Sequence, residues 1–239
     1  MKTFYDENYL NYGMQQYVEV EFTKAPHWAL SGITGSGKTY ALKLLLARIA
    51  KDISDSMLTI CDYKGDQDFD FLKEEERFYR FDRCQEGLNR FYESFLETQQ
   101  TGTKTGMHFF VFDEWASFLI NLDKKEAEDA RKKLSALLML GRSFGYHVIL
   151  SQQRLDAEYF GKTRDNFSVV LVLGNPSKEV QEMFFHDFKE QITHDRRQGT
   201  GYMLINGATF RKIEVPGITS MERVNRAIEA GITRTVKNV

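Results

Sequence analysis

Gly32-Ile33-Thr34-Gly35-Ser36-Gly37-Lys38-Thr39 is a complete G-x-x-x-x-G-K-T phosphate-binding loop, and it constrains this chain more than any other feature. Its glycines let the backbone curl so that successive N–H groups point inward at phosphate oxygens. Lys38 is expected to reach the β/γ-phosphates, and the Thr39 hydroxyl to hold Mg²⁺. A loop of this kind needs an apolar strand before it and a helix after it, because the helix N-terminus adds a favourable dipole. Both signals are present. His27–Ser31 lead in, and Leu42, Leu45, Leu46 and Ile49 follow at i, i+3, i+4, i+7 spacing. These residues predict a nucleotide site that takes ATP with Mg²⁺.

The rest of the chain alternates strand and helix signals. Short unbroken apolar runs predict further strands at Met57–Asp62, Met107–Asp113, Tyr146–Gln152 and Phe167–Gly174, as for strands covered on both faces. Val18–Phe22 alternates like a half-buried strand. Ala127, Ala130, Leu134, Leu137 and Leu138 form a second helical stripe. Such alternation predicts an α/β fold: a mostly parallel sheet with helices on both faces. Tyr202–Asn206 and Thr209–Val215, joined by Asn206-Gly207, predict a C-terminal β-hairpin. The 239 residues contain three prolines, at 26, 176 and 216, and no repeat or linker tract. We therefore expect a lead-in with a strand over 1–25, an ATPase domain over 26–216 and a helical tail over 217–239.

Composition excludes several classes. Apolar residues make up 42% and charged residues 28%, which is ordinary for a globular chain and not for a disordered one. The two cysteines, Cys61 and Cys84, form neither a disulfide framework nor a zinc site and fit a reducing, cytoplasmic setting. Apolar runs such as Val169–Leu173 fall far short of the roughly 20 residues of a membrane span. The acidic, polar start is unlike a signal peptide. Net charge is −2, from 32 basic and 34 acidic residues, so any basic surface must be local. The five histidines show no metal spacing, and His27 reads as packing or turn chemistry. Phe184, Phe185 and Phe188 read as a core stripe.

Phe109-Phe110-Val111-Phe112-Asp113-Glu114 is the second chemical signal. Four apolar residues place the strand in the sheet centre and bring Asp113 out at its C-terminal end, the edge at which open α/β sheets bind ligands. Asp113 is expected to hold Mg²⁺, through a water. Glu114, one residue on, is the candidate base that orients the attacking water. ATPases with such an extra glutamate insert one strand between those of the loop and the acidic pair, with a polar γ-phosphate sensor at its tip. The strand Tyr146–Ser151 then offers Gln153, with Gln152 behind it.

Together these segments resemble the FtsK/HerA-type DNA-pumping ATPases. Pro26-His27-Trp28-Ala29-Leu30-Ser31-Gly32 looks like that family's lead-in to the loop, and Asp62-Tyr63-Lys64-Gly65 is similar to its Asp-Pro-Lys-Gly. Phe112-Asp113-Glu114 resembles its Val-Asp-Glu. Gly141-Arg142-Ser143-Phe144-Gly145-Tyr146-His147 running to Thr-Gln-Arg-like Ser151-Gln152-Gln153-Arg154 follows its Gly-Arg-Ala-x-Gly-x-His segment. Tyr63 and Leu155 stand where the family has proline, and nothing resembles a winged-helix domain, so the chain looks like a stripped motor core.

The resemblance implies a RecA-like core and a ring, usually of six copies, with ATP between neighbours and double-stranded DNA in the pore. A membrane would be reached only through another protein. It also implies an arginine acting from the next subunit, with Arg142, Arg164 and Arg154 as candidates in that order. Lys162-Thr163-Arg164 and Arg196-Arg197 are candidate pore contacts. Arg131-Lys132-Lys133 reads instead as a self-compensated face, through Glu128–Lys132 and Asp129–Lys133 pairs at i, i+4. Related ATPase domains drive polypeptides, so protein export is an alternative to DNA translocation. A nucleotide-gated assembly protein with slow turnover is a third reading.

Overall fold

The structure, a computed structural model, describes residues 1–235, with the side chains at 157, 161 and 162 excepted. The chain opens with β1 (Lys2–Asp6), a single-turn helix α1 (Glu7–Leu10) and β2 (Tyr17–Glu19). Strand β3 (Trp28–Gly32) then runs through the phosphate loop into α2 (Lys38–Asp52), followed by β4 (Ser56–Asp62) and the short β5 (Phe78–Arg80). Next come α3 (Arg83–Thr101), β6 (Met107–Asp113), α4 (Trp115–Asn121), α5 (Lys124–Leu140) and β7 (Tyr146–Gln152). Strand β8 (Val169–Leu173), α6 (Lys178–Phe184), the hairpin β9 (Thr200–Ile205) and β10 (Thr209–Glu214), and α7 (Met221–Thr233) complete it. Residues 236–239 of the expected tail lie outside the described ones.

All ten strands join one sheet, in the order β2-β1-β10-β9-β8-β3-β7-β6-β4-β5. From β8 to β5 neighbouring strands are parallel, and from β8 out to β2 they are antiparallel. The α/β expectation therefore holds. The sheet is extended beyond it: the C-terminal hairpin is no appendage, because β9 pairs with β8 and β10 pairs with β1. Strand β7 lies between β3 and β6, as the Glu114 reading required.

Each central strand sends alternate side chains to opposite faces, the two-residue period of extended backbone. Leu58, Ile60, Phe109, Val111 and Ile149 pack beneath α2 and α7 with Leu42, Leu45, Ile49, Ile228 and Ile232. Cys61, Phe110, Phe112, Val148 and Leu150 face α3, α4 and α5 with Phe91, Phe95, Trp115, Leu134 and Leu137. Burying both faces explains why these strands read as continuous apolar runs. His27 and His147 belong to this interior. The His27 Nδ1 accepts from the Val148 amide at 3.1 Å, and burial holds its pKa down to about 3. Phe185 is fully buried, and Phe188 stacks on Phe210 at 5.1 Å, so these rings serve the core.

The join between β8 and β9 depends on a missing side chain. A Cβ at Gly201 would lie 2.1 Å from the Val172 carbonyl oxygen and 2.9 Å from the Leu173 Cα, both backbone atoms of the neighbouring strand. Backbone in a sheet centre cannot step aside as a flexible side chain can. Gly201→Ala should therefore lower stability by about 1–3 kcal/mol or more, read as a fall in the urea midpoint. An unchanged midpoint would show that β9 does not pair with β8 at this register.

Candidate active site

The phosphate loop sits at the C-terminal edge of the parallel strands, where β3 hands over to α2. Two features make the loop possible. A Cβ at Gly32 would fall 2.3 Å from the Ser36 Oγ and 3.2 Å from the Leu173 carbonyl oxygen, so only glycine closes the turn there. Gly37 has φ +92°, left-handed backbone that glycine adopts without steric cost, and it opens α2 with no side-chain cap. The amides of the first turn of α2 are thus left for a ligand, and an anion is the ligand that a helix N-terminus favours. The buried Ser36 Oγ also lacks a hydrogen-bond partner among the described residues. From below, the Gly199 amide donates to the Ser36 carbonyl at 2.9 Å and braces the loop.

Lys38 joins this loop to the acidic pair. Its Nζ donates to Asp113 Oδ1 at 3.0 Å and to Glu114 Oε1 at 2.7 Å, with the three side chains only 10%, 4% and 7% exposed. The Ser151 Oγ donates to the same Asp113 oxygen at 2.6 Å, tying the tip of β7 to that of β6. Glu114 adopts φ 65°, ψ 49°, a strained conformation for a side-chain-bearing residue, and its amide donates to the Ser151 carbonyl at 2.7 Å. Strain of this size costs on the order of 1–3 kcal/mol and persists only where the surroundings over-determine it. Here it turns the carboxylate back toward Lys38. Chemically, the arrangement offers an ammonium that can exchange carboxylate oxygens for phosphate oxygens, beside two carboxylates able to receive a cation or a proton.

A cavity of about 270 Å³ over the loop is lined by Gly32, Lys38, Thr39, Glu114 and Gln153, among others. Gln153 is exposed at the tip of β7, where the Ser31 Oγ donates to its carbonyl at 3.0 Å, while Gln152 is fully buried behind it. The structure thus brings together the loop, the acidic pair and Gln153. Arg142 does not join them. It lies exposed on a 3₁₀ turn, Gly141–Phe144, just before β7 and so at the opposite edge of the sheet. Arg164 lies on the turn preceding β8, at that same far edge, beside Asp165 at 3.4 Å. Arg154 is exposed and lines a small cavity with Gln153, Asn175 and Ser177 in the same subunit.

The residues fit Mg²⁺ held as phosphate loops hold it. Thr39 and Asp113 offer the hard oxygen donors that this ion prefers, and the ion usually keeps waters and phosphate oxygens as its other ligands. Among the described residues no group of three or more His, Cys, Asp or Glu side chains is arranged as a self-sufficient metal cage.

The remaining wall of the cavity includes Tyr40, Lys43, Asp68, Gln198 and Met221, which no motif singled out, and Lys64, from the Asp62-Tyr63-Lys64-Gly65 segment. Lys43 Nζ donates to the Asp68 carbonyl at 2.8 Å. Beside this wall Asp62, fully buried, lies directly opposite Asp113 in the β4–β6 register. Burial pushes its carboxyl up to about 6; the Gly65 amide at 2.9 Å opposes this, the Asp113 charge adds to it, and Arg80 at 3.2 Å opposes it. One expected contact is corrected. The Arg196 side chain is only 7% exposed, paired with Glu7 and donating to Thr193, so it is engaged within the chain and not free to serve as a pore contact. Arg197 pairs with Glu214 at 2.6 Å, and the Lys162 side chain lies outside the described ones. The pairs Lys132–Glu128 and Lys133–Asp129 form at 3.3 and 2.5 Å, as their spacing suggested.

No family model matches the chain. It is 28% identical over 206 residues to the FtsK domain-containing protein YdcQ of Bacillus subtilis (strain 168), an alignment covering 79% of this chain and 42% of that protein. The chain thus spans less than half the length of this relative. In fold it is similar to the pCW3 conjugation coupling protein TcpA, with TM-score 0.71, 18% identity, and 90% of this chain and 67% of that one covered. It is similar to the cytoplasmic domain of the type VII secretion ATPase EccC of Thermomonospora curvata, with TM-score 0.65, 18% identity, and 92% and 26% covered. It is also similar to the genome packaging NTPase B204 of Sulfolobus turreted icosahedral virus 2, with TM-score 0.56, 15% identity, and 81% and 100% covered. The resemblance read from four short motifs is thus matched by a relative with an FtsK domain and by ATPases of the same fold.

Proposed function

We propose that this FtsK-like P-loop protein is an ATP-hydrolysing motor that translocates double-stranded DNA as a ring, six-membered by resemblance, with residues 26–216 as motor domain. The observation that carries the ATPase reading is the buried Lys38–Asp113–Glu114 cluster at the mouth of an uncapped helix. Loop amides from Gly32 to Thr39 and the Lys38 ammonium bind the phosphates. Thr39 and Asp113 would hold Mg²⁺, which would neutralise phosphate charge. Glu114 orients and deprotonates the attacking water, and Gln153 senses the γ-phosphate from the neighbouring strand tip. DNA as the cargo is supported by the likeness to a conjugation coupling protein, a genome packaging NTPase and an FtsK domain-containing protein. No described helix is long and apolar enough to cross a membrane. We place the chain in the cytoplasm, reaching a membrane only through another protein.

The test is the ATPase rate against protein concentration, with and without duplex DNA. Turnover that rises with concentration, is stimulated by DNA and loses that stimulation steeply with salt is the expected result. Protein export is the second reading, favoured by the likeness to the type VII secretion ATPase and by the net charge of −2. Concentration-dependent turnover indifferent to DNA would favour it.

The far-edge position of Arg142 yields a third prediction. Arg142→Ala should bind ATP like wild type and turn over poorly, because a guanidinium at that edge is poorly placed for its own subunit's nucleotide and acts on a neighbour's. Equal mixtures of Arg142→Ala and Glu114→Gln subunits should regain ATPase activity, since some interfaces pair an intact Glu114 with an intact Arg142. An inactive Arg142→Ala with no recovery in mixtures would make Arg142 structural and move the trans role to Arg164.

A further inference from the structure

We propose that Lys64 is a second catalytic cation of this site, acting within the same subunit on the γ-phosphate oxygens. The proposal rests on the ATPase reading above and adds to it a residue from the far wall of the cavity. Its backbone placement is over-determined. The Gly65 amide donates to Asp62 Oδ1 at 2.9 Å, and the Tyr63 amide donates to the Asp113 carbonyl at 3.3 Å, so the turn after β4 is fastened to the tip of β6. Gly65 has φ +65°, and a Cβ there would meet the Phe81 ring at 2.1 Å, which fixes the path of the turn.

From this turn Lys64 enters the cavity that also holds Lys38, Thr39, Glu114 and Gln153. The strand order decides which end it approaches. Strand β4 lies beyond β6, on the side away from β3, so Lys64 arrives from the side of Asp113 and Glu114 and not from the glycines of the loop. On the ATPase reading above, that is the side of the attacking water.

Negative charge gathers at this end of the site, and the Mg²⁺ assigned to Thr39 and Asp113 would offset only part of it once phosphates are bound. Two buried carboxylates, Asp113 and Glu114, share the single Lys38 ammonium. During hydrolysis the charge spreads over three γ-phosphate oxygens, and cations placed there stabilise it. The cations lining the cavity among the described residues are Lys38, Lys43 and Lys64. Lys43 is committed to the Asp68 carbonyl. Lys64 is paired with Asp66 at 2.5 Å, at 47% and 30% side-chain exposure, and pairs this exposed are weak. It can therefore swing from Asp66 to phosphate at small cost. The Asp66 hydrogen bond also holds the ammonium above the usual lysine range; partial burial opposes this and the Asp66, Asp113 and Asp68 charges add to it, so Lys64 stays charged.

The experiment uses the full chain and compares Lys64→Met and Lys64→Arg with wild type. Binding of fluorescent ADP and of a non-hydrolysable β,γ-imido ATP analogue is measured beside kcat and KM for ATP. For Lys64→Met we expect ADP affinity within about twofold of wild type, analogue affinity down about tenfold and kcat down about 10–100-fold. Lys64→Arg should recover part of the loss. Equal weakening of ADP and analogue, or an unchanged kcat, would overturn the proposal and leave Lys64 as a turn residue paired with Asp66. If Lys64→Met does not fold, Lys64→Gln retains a hydrogen bond to Asp66 and carries the same readouts. A wild-type chain that binds neither nucleotide would instead overturn the ATPase reading itself, and this inference with it.

Discussion

Lys38→Ala should abolish tight ATP binding, weakening Mg·ATP affinity by about 10²–10³-fold or more, the loss typical of removing one partner from a buried charge pair. The structure leaves no substitute for it. Lys43 is held by the Asp68 carbonyl, and Lys64 enters from the far side of the cavity. A compact ammonium at the β/γ position is therefore lost without replacement. The substitution also strips Asp113 and Glu114 of their shared cation while both remain buried, at 3% and 6% exposure. Uncompensated buried charge is costly, so a loss of stability on the order of 3 kcal/mol should accompany the binding defect. Calorimetric titration of the folded variant is the check, and undiminished affinity would show that the phosphates lie elsewhere.

The second large effect separates binding from chemistry. Glu114→Gln should hydrolyse ATP about 10²–10⁴-fold more slowly, with little change in affinity, because the amide cannot accept the proton of the attacking water. Local geometry favours a clean separation. The backbone at Glu114 is held by its own amide on the Ser151 carbonyl at 2.7 Å, a bond that does not involve the side chain. A glutamine carbonyl oxygen can still accept from Lys38, where the glutamate now does at 2.7 Å. Single-turnover and steady-state rates test this. Near-normal turnover would remove Glu114 from the mechanism and reduce the acidic pair to a metal site. An ATP-trapped variant should also assemble more readily, which sizing in the presence of ATP would show.

Much of this site could be read along the chain because its chemistry is local. Eight consecutive residues make the loop, two consecutive acids end a strand, and a glutamine follows another strand. Each is recognisable because the same short backbone segment both positions and carries the functional groups. The parallel core was legible for a similar reason, since strands covered on both faces become unbroken apolar runs. Even α3 carries a signal in Cys84, Leu88, Phe91 and Phe95, an apolar stripe at helical spacing.

What spacing could not supply is convergence between distant segments. The sheet recruits β1 to β10 and the hairpin to β8, because unpaired strand edges seek backbone partners whatever their distance in sequence. Arg196 looks like a free basic residue until the fold sets Glu7, 189 residues away, against it. Lys64 belongs to a turn that is 26 residues from Lys38 in sequence, yet both side chains line one cavity. Asp62 ends a strand much as Asp113 does, and only the β4–β6 register places the two carboxylates opposite each other, one bound by Arg80 and the other by Lys38. A periodicity reports which face of an element is buried. Which charges then share that burial is decided by the order of strands in the sheet, and so by packing energies summed over the whole chain.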